Sequence, residues 1–513
     1  MSNHLPVLIF LSPLMTAIVL PVVGLARREW SRPLALAAVS VMTVLSLINL
    51  VVVVRHGTMR YTFSGWAAPL GIEWVDDGLA SLLMVMVSVL SLLAMIHAGF
   101  AEPSSLGGRV VPYYALILLL IAALTGIVFS GDLFNVFVFL EVGALSAYAL
   151  VGIEGGKALV SAFRYLILGT LGSSLYLLGV AYCYAVTGTL NMVDLAERVP
   201  ALLLSKAIVG GLIFLFLGLG IKMAIVPLHG WLPDAYTHAP DAVSPFLASL
   251  STKVALIAWV RIMFWVVGAN AEIDHVPVLF LLEEVGSVAA VVGAVLALTQ
   301  SELKRIFAYG GISHIGMILI GVSLGNRTGF AGGVFYLIND AVLQAALFFL
   351  AGVVCVRYGV RTLDDVRRVR GYTPWMTGSL VVMAMAMIGF PPTGGFFGKW
   401  YIILGAMEAR NYLSVGAVVV ATLLTLAYWV RILERVFHSG RPSPGHVPSA
   451  VPAHAGIHGR WERQEQASVA PPLDLPVALK VSVGTVSAAI ILLGLSSDPI
   501  IGFLRTVAVP PGL

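Results

Sequence analysis

The stretch Leu217–Tyr236, LGLGIKMAIVPLHGWLPDAY, decides the fold, because it interrupts an apolar helix with a lysine, glycines and prolines. A lysine near the middle of a bilayer costs roughly 2.5 to 3.5 kcal/mol, so Lys222 is expected to face a polar interior. Pro227 removes a backbone donor, and Gly218 and Gly220 let another helix or water come close. We therefore predict a membrane helix that is broken beside Lys222, as in many transporter ion sites. The alternative is that Lys222 reaches water from a helix end.

The composition is that of a polytopic membrane protein. Of the 513 residues, 59% are hydrophobic and 11% are charged, and the mean hydropathy is +0.96. A soluble domain would carry about 25% charged residues. The two cysteines, Cys183 and Cys355, lie in apolar segments, which argues against a disulfide framework or a metal site. The pI near 9.0 reflects arginines gathered in loops on one side of the membrane, so no nucleic-acid partner is expected.

Apolar runs of about 20 residues predict an all-α protein with about fourteen membrane-spanning helices, of which the seventh and twelfth are broken. The predicted spans are 5–25, 33–54, 79–99, 111–130, 132–152, 163–186, 206–227, 241–267, 277–298, 306–325, 329–356, 375–403, 412–436 and 477–496. The first span has no basic residues before it and three arginines soon after it. We read it as a retained span with the N-terminus outside, not as a cleaved signal.

The distribution of basic residues supports this orientation, because cytoplasmic loops carry an excess of lysine and arginine. The cytoplasmic set is Arg27, Arg28, Arg32, Arg109, Lys157, Arg164, Lys304, Arg305, Arg357, Arg361, Arg367, Arg368, Arg370, Arg435, Arg441, Arg460 and Arg463. The external set is Arg55, Arg60, Arg198, Lys206, Arg327, Arg410 and Arg505.

The spans are predicted to form two repeats, 111–267 and 277–436. AWVRIM at 258–263 recurs as YWVRIL at 428–433, and each follows a group of spans with a broken, lysine-bearing helix. Five spans per copy is an odd number, so the second copy is inverted relative to the first.

Three further regions complete the predicted organisation. They are a three-helix region at 1–110, a flexible cytoplasmic loop at 437–476 and a C-terminal helix at 477–513. The loop is rich in Pro, Ser, Gly, Glu and Arg, which is typical of unfolded segments. Its His446, His454 and His458 are expected to be solvated and not to bind a metal.

Few charged residues lie inside the predicted spans. Lys222 lies in the seventh span, Lys253 in the eighth, and Lys399 in the twelfth after the breaker-rich GFPPTGGFFG. The acids are Glu141 in the fifth span and Asp340 in the eleventh. Because unpaired lysines are costly in lipid, Glu141 is the expected counter-charge of Lys222.

These residue types can move protons. Desolvation favours loss of a proton from a buried lysine and a nearby carboxylate favours its retention, so a moving counter-charge can switch the lysine between the two states. His229, His238 and His314 could bridge the lysines through water, and a helix-packing role for each of them fits equally well. Arg261 and Arg431 are expected near cytoplasmic and external span ends respectively, as anchors.

Four motifs resemble one known family. They are FLEVGALSAYAL at 139–150, GIKMAIVPLHGWLPDAYTHAPDAVSPFLASLSTKVALI at 220–257, LKRIFAYGGISHIGMI at 303–318 and GFPPTGGFFGKW at 389–400. The chain resembles the antiporter-like subunits shared by respiratory complex I and the Mrp-type multisubunit cation/proton antiporters. The resemblance extends from the third to the thirteenth span and is closest to the D-type subunits of Mrp antiporters, a type that also occurs in membrane-bound hydrogenase complexes.

The resemblance implies a multi-pass subunit of a bacterial or archaeal cell membrane, with other membrane subunits as partners and protons, with or without sodium, as cargo. It implies that Glu141 pairs with Lys222, that Lys253 bridges, and that Lys399 ends the relay. One position departs from the family. Gln344 stands where a lysine is common, with Asn339 or Asp340 where a histidine is frequent. Asp340 is one turn before Gln344 on the same face, so it is the candidate replacement.

Two other classes of function are alternatives. A membrane-embedded transferase would use His229 or His238 as a base, but no nucleophile or metal spacing accompanies them. A structural scaffold would leave the buried lysines unexplained. No glycine-rich phosphate loop or cysteine cluster occurs in the sequence, so any redox cofactor is expected in other subunits, and the chain is not expected to be catalytic alone. A redox-driven pump, of the quinone oxidoreductase or hydrogenase type, and a gradient-driven antiporter both fit these residues.

Overall fold

A computed structural model describes residues 4–66, 68–99, 104–273, 275–366, 374–437, 477–510 and 512–513. Most of this part of the chain is helical, because a backbone in lipid must satisfy its own hydrogen bonds. The predicted loop at 437–476, with His446, His454 and His458, lies outside the described residues apart from its first position. The same holds for Arg367, Arg368, Arg370, Arg441, Arg460 and Arg463.

The helices are numbered in chain order. They are α1 (Leu5–Ala26), α2 (Ser31–His56), α3 (Gly78–Ala98), α4 (Val110–Phe129), α5 (Leu133–Gly152), α6 (Lys157–Thr187), α7 (Met192–Arg198), α8 (Lys206–Lys222), α9 (Leu232–His238), α10 (Ser244–Phe246), α11 (Thr252–Arg261), α12 (Val278–Thr299), α13 (Leu303–Ser323), α14 (Arg327–Tyr358), α15 (Pro374–Ile388), α16 (Gly394–Glu408), α17 (Tyr412–Phe437), α18 (Val477–Leu495) and α19 (Ser497–Phe503). Helices α10 and α11 are joined by a π-helical segment, Leu247–Ser251, and a second one, Ile262–Val267, follows α11.

Two short antiparallel hairpins lie outside the helices. Strands β1 (Met59–Thr62) and β2 (Glu73–Asp76) pair between α2 and α3, and β3 (Glu272–Ile273) pairs with β4 (Val276–Pro277) before α12. The side chain of Asp77 caps α3 by accepting a hydrogen bond from the Ala80 amide. The first hairpin therefore leads directly into α3.

The seventh predicted span is broken where the sequence predicts it. Helix α8 ends at Lys222, and α9 begins at Leu232. The indole of Trp231 donates to the carbonyl of Ile221 at 2.7 Å and so satisfies an acceptor that the break exposes. Gly218 brings α8 against α6, since a methyl group on Gly218 would lie 2.5 Å from the Gly172 carbonyl oxygen.

The twelfth predicted span is broken as well. Helix α15 ends at Ile388 and α16 begins at Gly394, with Gly389 in the left-handed region at φ +89°. The two halves of the chain also share a packing order: α4, α5, α6 and α8 pack consecutively, as do α12, α13, α14 and α16. This order is compatible with two repeats, and both the repeats and their inverted relation stay predictions.

Eleven described helices or helix runs are long and apolar enough to cross a membrane, or twelve if α18 and the helical segment bent 72° from it form one span. The seventh and twelfth predicted spans add two more only if the two halves of each broken helix are counted together as one span. The fold class is as predicted, while the number fourteen stays a prediction.

The expected positions of two arginines do not fit the predicted orientation. Arg261 binds Asp77 at the start of α3, on the side of the first hairpin. Arg431 donates to the carbonyls of Leu298 and Gln300, at the opposite side. With the N-terminus outside, Arg261 is external and Arg431 cytoplasmic, because the eighth span runs outward and the thirteenth runs inward.

Candidate functional site

Lys222, at the end of α8 in the first broken helix, faces Glu141 on α5. Lys222 Nζ lies 3.9 Å from Glu141 Oε1 and 3.5 Å from the hydroxyl of Tyr148. The lysine side chain is 9% exposed, whereas the glutamate side chain is 29% exposed at the flank of α5. The expected pair is therefore present, with a long contact and with Tyr148 as an additional partner.

Aromatic side chains hold the Lys222 end of α8 in place. Tyr148 packs edge-on against Tyr165, with ring centroids 4.5 Å apart, and Tyr165 stacks on Trp231 at 4.1 Å with nearly parallel rings. Trp231 in turn binds the Ile221 carbonyl. This chain of rings fixes Lys222 relative to α5 and α6, and aromatic pairs of this kind contribute about 0.5 to 1.5 kcal/mol each.

Asp340 lies at the centre of the most deeply buried charge cluster. Its Oδ2 is 2.8 Å from Lys253 Nζ, and its Oδ1 is 2.7 Å from His314 Nδ1. Asp340 and His314 are 0% exposed, and Lys253 is 2% exposed. Three helices therefore each bring one ionisable group to a single point, which membrane proteins rarely do without a functional reason.

Local structure positions Lys253, and Gln344 adds a neutral neighbour to the cluster. Lys253 follows the π-helical segment Leu247–Ser251, and its ammonium also donates to the Ala248 carbonyl at 2.8 Å. Single π-helical turns inside α-helices occur frequently at functional sites. Gln344, one turn after Asp340, lies with its amide nitrogen 3.5 Å from Asp340 Oδ1. Gln344 stands where relatives commonly have a lysine. It therefore lies next to Asp340, the residue expected to replace that lysine.

Two side chains beside Asp340 have unused hydrogen-bonding capacity. His314 uses Nδ1 as donor to Asp340, while its Nε2 is buried without a partner among the described residues. Asn339 has no partner for either amide atom within the same part of the chain, and its Oδ1 would lie 2.5 Å from a methyl group on Gly394. Most buried polar atoms in proteins have a protein or water partner, so these two side chains are exceptions.

Lys399 is buried in the second broken helix without an acidic partner. Its side chain is 5% exposed, and Nζ donates to the carbonyls of Met387 at 2.8 Å and Ile388 at 3.2 Å. These two carbonyls belong to the last turn of α15, where helix carbonyls lack intrahelical donors. The break therefore supplies the hydrogen bonds of this lysine, and no carboxylate among the described residues forms an ion pair with it.

The remaining predicted histidines do not join these clusters. His229 lies in the first break, with its ring 6.1 Å from that of Tyr309 and its Nδ1 buried and unpartnered among the described residues. His238 lies at the end of α9, where Nδ1 is 3.0 Å from both the Ser161 hydroxyl and the Asp234 carbonyl. A cavity of about 350 Å³ adjoins His238, and its lining also includes Lys157, Arg164, Asp234 and Arg305.

The Ser161–His238 contact does not form a catalytic triad. In a triad, the serine and the acid bind opposite nitrogens of the histidine. Here Ser161 and the Asp234 carbonyl share Nδ1, and the Asp234 carboxylate is bound by Arg164 at 2.8 Å and Arg305 at 3.0 Å. The described residues also contain no group of three or more His, Cys, Asp or Glu that could hold a metal ion. The geometry therefore gives the transferase hypothesis no support.

Comparison with known proteins agrees with this architecture. Residues 130–425 match the family model described as NADH:quinone oxidoreductase/Mrp antiporter, transmembrane. The chain belongs to this family.

Several members of the NADH:quinone oxidoreductase/Mrp antiporter family are similar over most of the chain. A NADH-quinone oxidoreductase subunit N from Desulforudis audaxviator (strain MP104C) is 38% identical over 512 residues, which are 99% of each chain. The D-type subunit of a Na(+)/H(+) antiporter from Bacillus subtilis (strain 168) is 30% identical over 448 residues, which are 86% of this chain and 90% of the relative. A chain in the structure of the Mrp complex from Dietzia sp. DQ12-45-1b has a TM-score of 0.84 at 26% identity and covers 98% of this chain and 96% of that chain.

For this family member, the sequence identified the separate charged residues but not all of their partners. The Lys253–Asp340 ion pair joins positions from different predicted repeats, and no short motif indicates it. Tyr148 was missed because one tyrosine in an apolar helix gives no signal of its own. Two ion pairs near the helix ends, Arg261 with Asp77 and Lys304 with Asp241, were also not predicted.

Proposed function

We propose that this chain is a proton-translocating or cation/proton-antiporting subunit of a multisubunit membrane complex, with its N-terminus outside. The observation that carries the proposal is Asp340, which is fully buried and shared between Lys253 and His314. Relatives named as subunits of a quinone oxidoreductase and of a Na(+)/H(+) antiporter support the same function. Glu141, Lys222, Lys399, His229 and His238 are the further candidate members of the relay.

The Asp340 cluster can transfer a proton in two balanced steps. A proton that reaches Nε2 of neutral His314 lets the Nδ1 proton move to Asp340, 2.7 Å away, which leaves a neutral histidine and a neutral acid. When the neutral carboxylic acid turns so that its protonated oxygen faces a neutral Lys253, the lysine takes this proton and the Lys253–Asp340 ion pair is restored. The unpartnered His314 Nε2 is where the first proton must arrive.

The other lysines suit the two ends of such a relay. Lys222 has a carboxylate 3.9 Å away that is partly exposed at the flank of the bundle, so a neighbouring subunit could change its charge environment. Lys399 has only carbonyl partners, so its charge is held by dipoles of the helix break. Redox groups, where the complex has them, would be held by other subunits.

Replacing Asp340 by asparagine tests the proposal. Asp340→Asn keeps the shape but removes the proton acceptor, so proton flux through the reconstituted complex should fall at least about 100-fold, within the range known for lost acid–base groups. Flux is measured with a pH-sensitive dye in proteoliposomes, with and without sodium. Glu283→Gln is the matched control, because Glu283 is also a buried acid but lies outside the cluster, on α12. Normal flux in an assembled Asp340→Asn complex would exclude this relay.

A further inference from the structure

The cavity beside His238 carries an excess of positive charge. It has a volume of about 350 Å³ and lies between α6, α9 and α13, at the end of the bundle where α6 and α13 begin. Sites for small ligands typically measure about 300 to 1,000 Å³. The charged residues of its lining are Lys157, Arg164, Arg305 and Asp234. With His238 neutral, two positive charges in this lining have no acidic counterpart, so the cavity favours an anion.

Hydrogen-bond donors accompany this charge. Arg164 donates to the Asp234 carboxylate at 2.8 Å, and Arg305 lies 3.0 Å from the other carboxylate oxygen. Arg305 Nε is buried without an acceptor among the described residues. Lys157 is exposed at the start of α6 and pairs with no acid in the part of the chain that the structure describes. Guanidinium and ammonium donors held close together in this way match the oxygens of a phosphate group.

Anchoring of helix ends in the membrane surface does not explain this arrangement. Basic residues that only anchor a helix need contact with head groups but no common position. Here an arginine of α6 and an arginine of α13 meet at one carboxylate of α9, and this carboxylate is only 16% exposed. Asp234 therefore fixes both guanidiniums beside the cavity before any ligand binds, and such preorganisation lowers the entropic cost of binding.

The open side of the cavity adjoins the apolar surface of α6. Lys157, Val160 and Arg164 line the cavity and are exposed. Ile167 and Leu171, which are 50% and 48% exposed, continue the same face. At 3.6 residues per turn, these five positions fall within about 80° around the helix, and Leu171 lies about 16 Å beyond Val160 along the axis. One leaflet of the hydrocarbon core is about 15 Å thick, so this face matches the length of an acyl chain.

We propose that this cavity binds the phosphate group of an anionic phospholipid, with an acyl chain along Val160, Ile167 and Leu171 of α6. Lys157, Arg164 and Arg305 donate hydrogen bonds to the phosphate oxygens. Basic pockets between membrane helices recognise anionic head groups in this way. The bound lipid connects α6 and α13 with α9, the helix that follows the first break. Lipid binding at this cavity does not require proton transfer, so either can fail without the other.

Photolabelling of the assembled complex tests the site. Phosphatidylglycerol with a photoreactive acyl chain should label residues 160–171, as identified by mass spectrometry of the peptides. Lys157→Gln removes one positive charge without breaking an ion pair among the described residues, and it should weaken the half-saturating lipid concentration about fivefold, as expected for one basic residue near an anionic head group. Lys206→Gln is the matched control, because Lys206 is likewise the exposed first residue of an apolar helix but lies outside the cavity.

Unlabelled competitors identify the ligand. Phosphatidylglycerol vesicles should compete with the label, whereas phosphatidylcholine vesicles, whose head groups carry no net charge, and inorganic phosphate should not. Competition by inorganic phosphate as strong as that by phosphatidylglycerol would overturn the lipid assignment, and equal labelling by a photoreactive phosphatidylcholine would reduce the site to general lipid contact. Wild-type affinity in Lys157→Gln, an equal loss in Lys206→Gln, or the absence of label from residues 160–171 would each overturn the proposal.

Discussion

Lys222 has one carboxylate and one phenol near its ammonium group. The two distances indicate how strongly each group stabilises the lysine charge. Glu141 Oε1 is 3.9 Å from the ammonium group, at the limit of an ion pair, and the Tyr148 hydroxyl is 3.5 Å away. Removing one member of a buried ion pair leaves the other charge uncompensated, at a cost of about 3 to 5 kcal/mol. Since Glu141 is partly exposed, the lysine bears more of this cost than the acid.

Single and double substitutions test this unequal dependence. Glu141→Gln and Lys222→Met should each abolish proton flux in the assembled complex, and Lys222→Met should not lower the thermal unfolding midpoint further in the Glu141→Gln background. Tyr148→Phe should retain flux, because the phenol is only a secondary partner. Flux at the wild-type level in either charge variant, with normal expression, would refute the pair as a functional unit.

Asp76 is a buried acid that lies outside the membrane spans. It is 1% exposed at the end of β2, and it accepts hydrogen bonds from Asn49 at 2.7 Å and Ser81 at 2.5 Å. Burial raises the pKa of Asp76 from 3.8 to about 6, although both hydrogen bonds act in the opposite direction. The neutral acid is therefore favoured in the folded protein relative to the unfolded chain.

This pKa shift predicts a pH dependence of stability. Because the folded-state pKa is the higher one, the stabilisation from Asp76 is fully present below about pH 3.8 and is lost as the pH rises through about 6. The thermal unfolding midpoint in detergent should fall over this window, and Asp76→Asn should remove that part of the fall. Asp194→Asn, an acid on α7, is the control and should leave the pH dependence in place. An unchanged pH dependence in Asp76→Asn would contradict the assignment.

At the scale of elements, the packing of α8 on α6 depends on glycine. The backbones approach so closely that a methyl group on Gly218 would lie 2.5 Å from the Gly172 carbonyl oxygen. Small residues at such crossings replace the hydrophobic driving force that lipid does not supply. The same crossing fixes the end of α8, and therefore the position of Lys222.

One glycine pair on α8 tests this packing. Gly218→Ala should lower stability by about 1 to 3 kcal/mol, as overpacking does. Gly210→Ala lies on the same helix with nothing within 4 Å of the added methyl group, so it should be neutral or slightly stabilising. The thermal unfolding midpoints of the two variants give the comparison. Equal midpoints would show that α8 can shift away from α6 without cost.

At the scale of the whole molecule, the two ends of the bundle differ in charge. Arg28, Arg109, Arg164 and Lys304 lie at one end, in loops or near the starts of helices, and the first hairpin with Arg60 lies at the other. The positive-inside rule assigns the arginine-rich end to the cytoplasm. With the described helices, this assignment predicts that α3 and α17 both end on the cytoplasmic side.

Fusion reporters test the orientation directly. A reporter after Ala271 should be active only outside, and reporters within 438–476 and after Arg368 should be active only in the cytoplasm. Alkaline phosphatase and green fluorescent protein fusions give complementary readouts for each position. An external signal from the 438–476 loop would refute the orientation, and opposite signals from that loop and Arg368 would refute the span count between them.

The membrane class, the family and the two helix breaks could all be predicted from the residues alone. These features depend on local properties: apolar runs set the spans, and proline and glycine beside Lys222 and Lys399 end a helix whatever it packs against. The Glu141–Lys222 pair was also predictable, because the cost of a lone buried charge requires a partner and few acids were available.

The tertiary structure alone decided which charges meet. Lys253 and Asp340 are 87 positions apart in the chain, and only the packing of α14 against the segment before α11 brings them within 2.8 Å. Among the described residues, Lys399 is bound by backbone carbonyls and not by a carboxylate, and Arg261 pairs with Asp77 at the start of α3. Pairing energies fall off within a few ångströms, so they depend on distances between helices that no local pattern of residues specifies.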